Sequence, residues 1–316
     1  MTSAESAEHY VTLFDSHYLP QGLCLHRSLA EQGRPFRLWI LAMDEACAAA
    51  LGRLRLADTT VVPLAEIEDD ALRAVKATRS VGEYCWTLTP FLPSLVFQRD
   101  PQARRVTYVD ADLYFFAPPA ALLAELDVSG KQVLITEHAF APEYAAHLRF
   151  GRFCVQFVTF RNGAPARRVL EWWQQRCLEW CYAREEDGKF GDQKYLDQWP
   201  ALFATEVHVL AHTERTLAPW NLLHAGRAAG GARPTFYHFH GLKVVSQRAA
   251  VLYFMYRVGA RNRWIYDRYV SSLKAAVAEM RRQEVPVVAR PMFAGWRGRL
   301  RFVWALLTGR ADWAML

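Results

Sequence analysis

Between residues 10 and 110 the chain alternates short β-branched and aromatic runs with longer stretches of helical spacing, and no other feature restricts its fold so strongly. Residues 10–14 (Tyr-Val-Thr-Leu-Phe) read as a strand, 21–32 as a helix ended by Gly33 and Pro35, and 36–41 as a second strand. Asp44 is placed to cap a helix running to Leu56. Residues 59–62 supply a third strand and 71–77 more helix. A helical stretch over 88–98, which Pro90 can begin, leads into the strand that ends before Asp110. Further strands are predicted at 133–136 and 155–160, with a helix over 165–183. This series predicts an α/β fold: a mostly parallel sheet with helices on both faces. Ligands of such sheets gather outside the carboxyl ends of the strands.

Asp110-Ala111-Asp112 stands at such an end. Side chains alternate along extended backbone, so both carboxylates face one side if the extension continues through them. Two hard oxygen ligands there can hold a Mg²⁺ or Mn²⁺ that neutralises a diphosphate. A surface turn is the plainer reading, but the strand before it is apolar, and an unpaired charge beside a buried strand is costly. Three clusters suit a metal at that pair. In the loop 12–18, Asp15 can accept a hydrogen bond from a base or ribose and Tyr18 can stack on the base; Asp15 can equally cap the next helix. In 76–90, Arg79 can pair with a phosphate, or with Glu83 at the surface. In 236–243, His238 and His240 share one side of an extended segment, Gly241 lets backbone approach a phosphate, and Lys243 supplies a point charge.

With 316 residues, 52% of them hydrophobic and eleven tryptophans, the chain has ample material for a core, which excludes a disordered protein. The net charge of +6 suits a nucleotide diphosphate or an anionic membrane and is too weak to argue for nucleic acid. The six cysteines are scattered and set no disulfide framework; Cys177 and Cys181, one helical turn apart, lack ligand partners nearby. Residues 1–9 are polar and do not resemble a secretory signal, and no run of 18 apolar residues exists, so a cytoplasmic protein is expected. One catalytic domain over 1–250 and a helical extension over 251–316, helical from 251 to 282, is the economical division. The stripe Leu170, Trp173, Cys177 and Trp180 is either core or a sugar platform. Near the end, Phe293, Trp296, Leu300, Val303, Trp304 and Leu307 share a helical face flanked by Arg297, Arg299, Arg301 and Arg310. That face can pack on the domain, or lie in a membrane interface as a peripheral contact at the inner membrane.

The order of these parts resembles a GT-A-fold glycosyltransferase, in particular the glycogenin and bacterial lipopolysaccharide galactosyltransferase group, family 8. Those enzymes pair an Asp-x-Asp with a late His-x-x-Gly-x-x-Lys. Asp110 and Asp112 match the first, and His238 and Gly241 the start of the second; Lys243 sits one residue early and no Pro-Trp follows. The chain also resembles a broad group of bacterial glycosyltransferases through segments starting at Thr12, Tyr84, Asp110, Gly191 and Ala218. The resemblance implies a Rossmann-like GT-A fold and sugar transfer from a nucleotide-sugar, a UDP-sugar favoured, to a glycan or glycolipid in surface polysaccharide or lipopolysaccharide synthesis. It leans towards retention of the anomeric configuration. It assigns Mn²⁺ or Mg²⁺ to Asp110, Asp112 and His238, and the donor to Thr12, Asp15, Tyr18, Arg79, Tyr108, Gly241 and Lys243. Asp192 and Gln193 fall beside the acceptor or reacting sugar as candidate catalytic residues, although Asp192 can also serve as a helix N-cap. Related chains tend to carry Asn-x-Gly where this one has Cys154-Val155-Gln156, a departure expected to bear on sugar specificity and not on the metal site.

Two other classes use similar parts. A haloacid-dehalogenase-like phosphatase would use Asp110 as nucleophile, but its Asp-x-Asp normally opens the domain. A non-catalytic carbohydrate-binding protein would explain the tryptophans and not the carboxylates.

Overall fold

In chain order the first eight strands are β1 (Glu8–Phe14), β2 (Phe36–Ala42), β3 (Thr59–Pro63), β4 (Arg105–Val109), β5 (Leu113–Phe115), β6 (Val133–Glu137), β7 (Phe153–Arg161) and β8 (Val207–Val209). All but β5 join one seven-stranded sheet, ordered β3-β2-β1-β4-β7-β6-β8, in the computed structural model, which describes residues 7–228, 233–290, 292 and 295–316. The sheet is mostly parallel, as the alternation predicts, but β7 runs antiparallel to both β4 and β6. No helical crossover separates β6 from β7, only a 3₁₀ stretch at Pro142–Phe150, and an antiparallel neighbour needs no crossover.

Helices α1 (Leu19–Ala30) and α2 (Glu45–Leu54) make the first two crossovers. Asp44 caps α2, its carboxylate accepting from Cys47 N at 2.6 Å. The third crossover holds α3 (Asp70–Lys76), α4 (Val81–Leu88) and α5 (Leu92–Arg99). The helix predicted over 88–98 is thus broken by a 3₁₀ turn at Thr89–Phe91, where Pro90 and Pro93 offer no N–H to continue the ladder. Along β1, Tyr10 and Phe14 enter the core on one face of the sheet and Val11 and Leu13 the core on the other. Beyond β5 lie α6 (Ala120–Ser129) and α7 (Ala164–Glu179), then the short α8 (Trp199–Leu202) and α9 (Leu222–Ala228). The α7 stripe is core: Trp173 is fully buried beside Phe160 and Trp199.

A small second sheet unites β5 with β9 (Thr216–Leu217) and β10 (Phe236–His238). A third, antiparallel, holds β11 (Lys243–Ser246), β12 (Ala249–Phe254) and β13 (Ala311–Met315). The C-terminal helices are α10 (Arg263–Arg282) and α11 (Trp296–Leu307). The helix expected over 251–282 therefore begins only at Arg263. Before it, the β-branched and aromatic residues of β12 pair on both sides as a strand, and Gly259 at φ +75° intervenes. The division expected at 250 falls inside β12. The α10 helix docks on α1, where the Arg27 guanidinium donates to the carbonyls of Ser272 (3.1 Å) and Ala275 (3.2 Å). Among the described residues no helix is long and apolar enough to cross a membrane.

Candidate active site

After β4 the backbone does not stay extended. Asp110 to Leu113 form a tight turn, with Leu113 N donating to the Asp110 carbonyl (3.1 Å), and the turn, rather than strand alternation, gathers the two carboxylates. β5 then pairs with β10 so that His238 stands opposite Leu113, and Phe239 N donates to the Asp112 carbonyl (2.9 Å). His238 Nε2 consequently lies 3.1 Å from Asp112 Oδ1 and 3.7 Å from Asp110 Oδ2. One potential ligand atom from each of the three residues lies within 4.8 Å of the others. The Tyr108 hydroxyl donates to Asp110 Oδ1 at 2.9 Å and fixes that carboxylate from behind.

Loss of hydration pushes the Asp110 carboxyl up to about 6, against the pull of His238 and with a further push from Asp112. Burial would raise Asp112 as well, but the charge of His238 and its hydrogen bond outweigh it and leave Asp112 below the ordinary carboxylate range. Burial lowers His238, yet the same two carboxylates hold it well above a free imidazole. Two crowded carboxylates and an imidazole with little water around them make a donor set that suits a hard or borderline divalent ion such as Mg²⁺ or Mn²⁺.

The cluster forms part of the floor of a cleft of about 590 Å³. Asp15, Tyr18 and Tyr108 line it, as do Asp192, Gln193 and the aromatic residues Trp86, Phe140, Phe150, Phe190, Trp220 and Tyr256. Asp15 also caps its own turn, accepting from His17 N (3.0 Å) and Tyr18 N (3.2 Å). Thr12 is wholly buried in β1 and does not reach the cleft. Neither does Arg79. Its guanidinium donates to Thr87 Oγ1 and to the Leu178 carbonyl (2.8 Å), tying α4 to α7. Glu83, the other partner considered for Arg79, closes a capping box with Ser80 instead. Gly241 turns the chain at φ +81°, a conformation that favours glycine, but it too lies outside the cleft lining. Lys243 opens β11, where burial and the neighbouring charge of Arg290 lower its ammonium pKa.

Asp192 is buried at the head of a 3₁₀ helix, Gln193–Gln198, yet its carboxylate makes no capping hydrogen bond to it. Burial, with Asp110 adding to it, pushes that carboxyl up to about 8. Gly191 just before it has φ +51°, and a Cβ there would stand 3.2 Å from the Trp86 ring. Gln193 Nε2 donates to the Phe150 carbonyl at 3.0 Å. Of the two late histidines, His238 joins the carboxylates, whereas the exposed His240 lines the mouth with its ring centre 5.5 Å away.

Residues that motif reading passed over also reach this cleft. Arg290 does so because its N–H donates to the Val244 carbonyl (2.9 Å), laying the segment after α10 along β11. Nothing in the neighbouring sequence marks it. His138, stacked on Phe140, is pushed down to about 3 by burial and is therefore neutral. Gln156 corrects a further expectation, since its Oε1 lies 2.8 Å from His238 Nδ1: the departure at 154–156 does touch the metal cluster. A second cavity of about 680 Å³ lies away from the carboxylates, and the side-chain amides of Asn162 and Gln174 that line it already donate to protein oxygens.

No protein-family model matches the chain. It is 33% identical to the uncharacterized protein YfnF of Bacillus subtilis (strain 168) over 259 residues, 78% of this chain and 84% of YfnF. It is 30% identical to YfnD of the same organism over 287 residues, 87% of this chain and 91% of YfnD. The chain belongs to the YfnF and YfnD family. Solved structures show which fold this family member adopts. The galactosyltransferase LgtC, in complex with donor and acceptor sugar analogues, superposes with a TM-score of 0.54 at 13% identity, covering 93% of this chain and 99% of LgtC. The bifunctional glycosyltransferase WbbM gives 0.53 at 15% identity over 90% of this chain and 52% of its own. GlyE of Streptococcus pneumoniae TIGR4 gives 0.52 at 12% identity over 90% of this chain and 65% of its own. The fold is the family-8-like GT-A fold.

Proposed function

We propose that the protein is a metal-dependent glycosyltransferase that moves a sugar from a nucleotide-sugar, a UDP-sugar favoured, to a glycan or glycolipid. The observation that carries this reading is the Asp110–Asp112–His238 cluster on the floor of a cleft at the carboxyl end of β4. A bound Mn²⁺ or Mg²⁺ would supply positive charge against the diphosphate that leaves. Tyr108 holds Asp110 in place for it. Arg290, in place of Arg79, adds a fixed charge on the phosphate side with Lys243 beside it. Asp15 and Tyr18 stand at the end suited to the nucleobase. Asp192, neutral through burial, can donate a hydrogen bond to a sugar hydroxyl, and the aromatic walls limit water at the reacting centre. A phosphatase nucleophile at Asp110 fits less well, because one of its oxygens accepts from Tyr108 and the other faces His238.

The same reading places the enzyme at the cytoplasmic face of a membrane, on a lipid-linked acceptor of surface polysaccharide or lipopolysaccharide synthesis. Its support is α11: Trp296, Leu300, Val303, Trp304 and Leu307 stand exposed rather than packed on the domain, while Phe293 lies outside the described residues. Arg297, Arg299, Arg301 and Arg310 accompany them, and no acidic residue occurs from 285 to 311.

Transfer from a panel of nucleotide-sugars, measured with and without chelator, tests the activity. Metal-dependent release of a nucleoside diphosphate is the expected result, and chelator-resistant release contradicts it.

A further inference from the structure

We infer that Gln156 sets the tautomer and orientation of His238, and thereby whether the cluster can accept a divalent ion. This rests on the metal-dependent reading above and adds to it a residue that reading does not use. Gln156 lies in β7 across from the end of β4, where its carbonyl accepts from Asp110 N at 3.1 Å. Its side chain is wholly buried, and its Oε1 stands 2.8 Å from His238 Nδ1. An amide oxygen only accepts, so Nδ1 carries the proton and Nε2 is the atom turned to Asp112 and Asp110. A neutral imidazole has one N–H. Once an ion takes the place of any proton on Nε2, the hydrogen that remains is the one engaged by Gln156, and the Nε2 lone pair points where the ion would sit.

The reversed carboxamide would have the opposite effect. Its NH₂ would face Nδ1, the imidazole proton would move to Nε2, and a hydrogen bond to Asp112 would take up the ligand position. Gln156 Nε2 finds no hydrogen-bond partner among the described residues, so its contact with His238 is what orients the amide. The other neighbours hold the ring without choosing between its nitrogens in this way: Trp220 meets it edge-on with ring centres 5.3 Å apart. Gln156 is therefore a positioning residue, one layer behind the ligands.

The test is calorimetric titration of Mn²⁺ into the full-length, chelator-stripped protein as wild type, Gln156→Met and Gln156→Glu. Methionine fills a similar volume without the amide, and glutamate keeps an acceptor at the same reach. Gln156→Met should weaken Mn²⁺ binding by about 10–100-fold, the range typical of lost outer-shell partners, while Gln156→Glu keeps near-wild-type affinity. Melting temperatures of the metal-free forms show that each is folded. The wild type needs no substitution for a second readout: imidazole ¹⁵N shifts must place a proton on Nδ1 of His238. Unchanged affinity in Gln156→Met, equal weakening in both variants, or a His238 protonated on Nε2 alone overturns the inference. A wild type that binds no Mn²⁺ overturns the metal reading along with it. A wild type that binds while Gln156→Met binds equally well overturns this inference alone.

Discussion

Asp112 and Asp192 are two buried aspartates of one cleft in opposite states: burial raises both, but the imidazole beside Asp112 outweighs it, whereas the charge of Asp110 adds to the burial of Asp192. Asp112→Asn removes a ligand charge and should weaken Mn²⁺ binding by more than about 100-fold, beyond an outer-shell loss, with transfer abolished and the metal-free protein still folded, though melting lower for want of the partner to His238. Calorimetry and circular dichroism check this, and a variant that binds the ion normally contradicts the ligand assignment. Asp192 makes a prediction about pH. Its folded value of about 8 stands above the ordinary 3.8, so folding favours its protonated form. The stability this contributes is complete below about pH 4 and is lost as pH rises through the folded value. The chelated protein should thus melt at progressively lower temperature from pH 5 to pH 8.5, and Asp192→Asn should flatten that slope. An unchanged slope in the variant contradicts the assignment. Since the Asp192 carboxylate caps no helix, loss of transfer in the same folded variant ties it to the reacting sugar, and full activity contradicts that role.

Two arginines exchange roles at the scale of elements. Arg79 belongs to a polar and aromatic run that looks built for a ligand, yet its guanidinium joins α4 to α7. Arg290 follows no motif and lines the cleft. Arg79→Ala should destabilise the fold by about 1–3 kcal/mol, the usual effect of unpairing buried hydrogen-bonding groups, and leave the donor KM unchanged. Arg290→Ala should leave the melting temperature alone and raise the donor KM by about tenfold or more, as expected for a lost charged hydrogen bond. The reverse pattern would restore Arg79 to the diphosphate. This pair shows what was legible in the sequence. Strands β1 to β4, the cap at Asp44 and the Asp-x-Asp follow from periodicity and local chemistry and could be read directly. The reversal of β7, the strand at β12, the contact of Gln156 with His238 and the reach of Arg290 into the cleft depend on pairing partners that local sequence does not reveal, such as Val244 for Arg290 and His238 for Gln156. Even the convergence of Asp110 and Asp112 came from a turn where extension was expected.

For the molecule as a whole, the exposed face of α11 predicts adsorption to anionic vesicles. Replacing Trp296, Leu300 and Trp304 by serine should abolish sedimentation with phosphatidylglycerol vesicles at low salt without lowering the melting temperature, since Trp296, at 67% exposed, and its neighbours bury little in the fold. A destabilised triple variant, or a wild type that ignores the vesicles, would mean that this face serves the fold or another partner. In the cleft, the proposed ion held by Asp110, Asp112 and His238 joins a nucleotide diphosphate to the protein. Titration of UDP into the chelator-stripped protein, with and without Mn²⁺, tests it most directly. Binding should be saturable with Mn²⁺, and slight or absent without it or in Asp112→Asn. Equal binding of UDP in the absence of any divalent ion would contradict it.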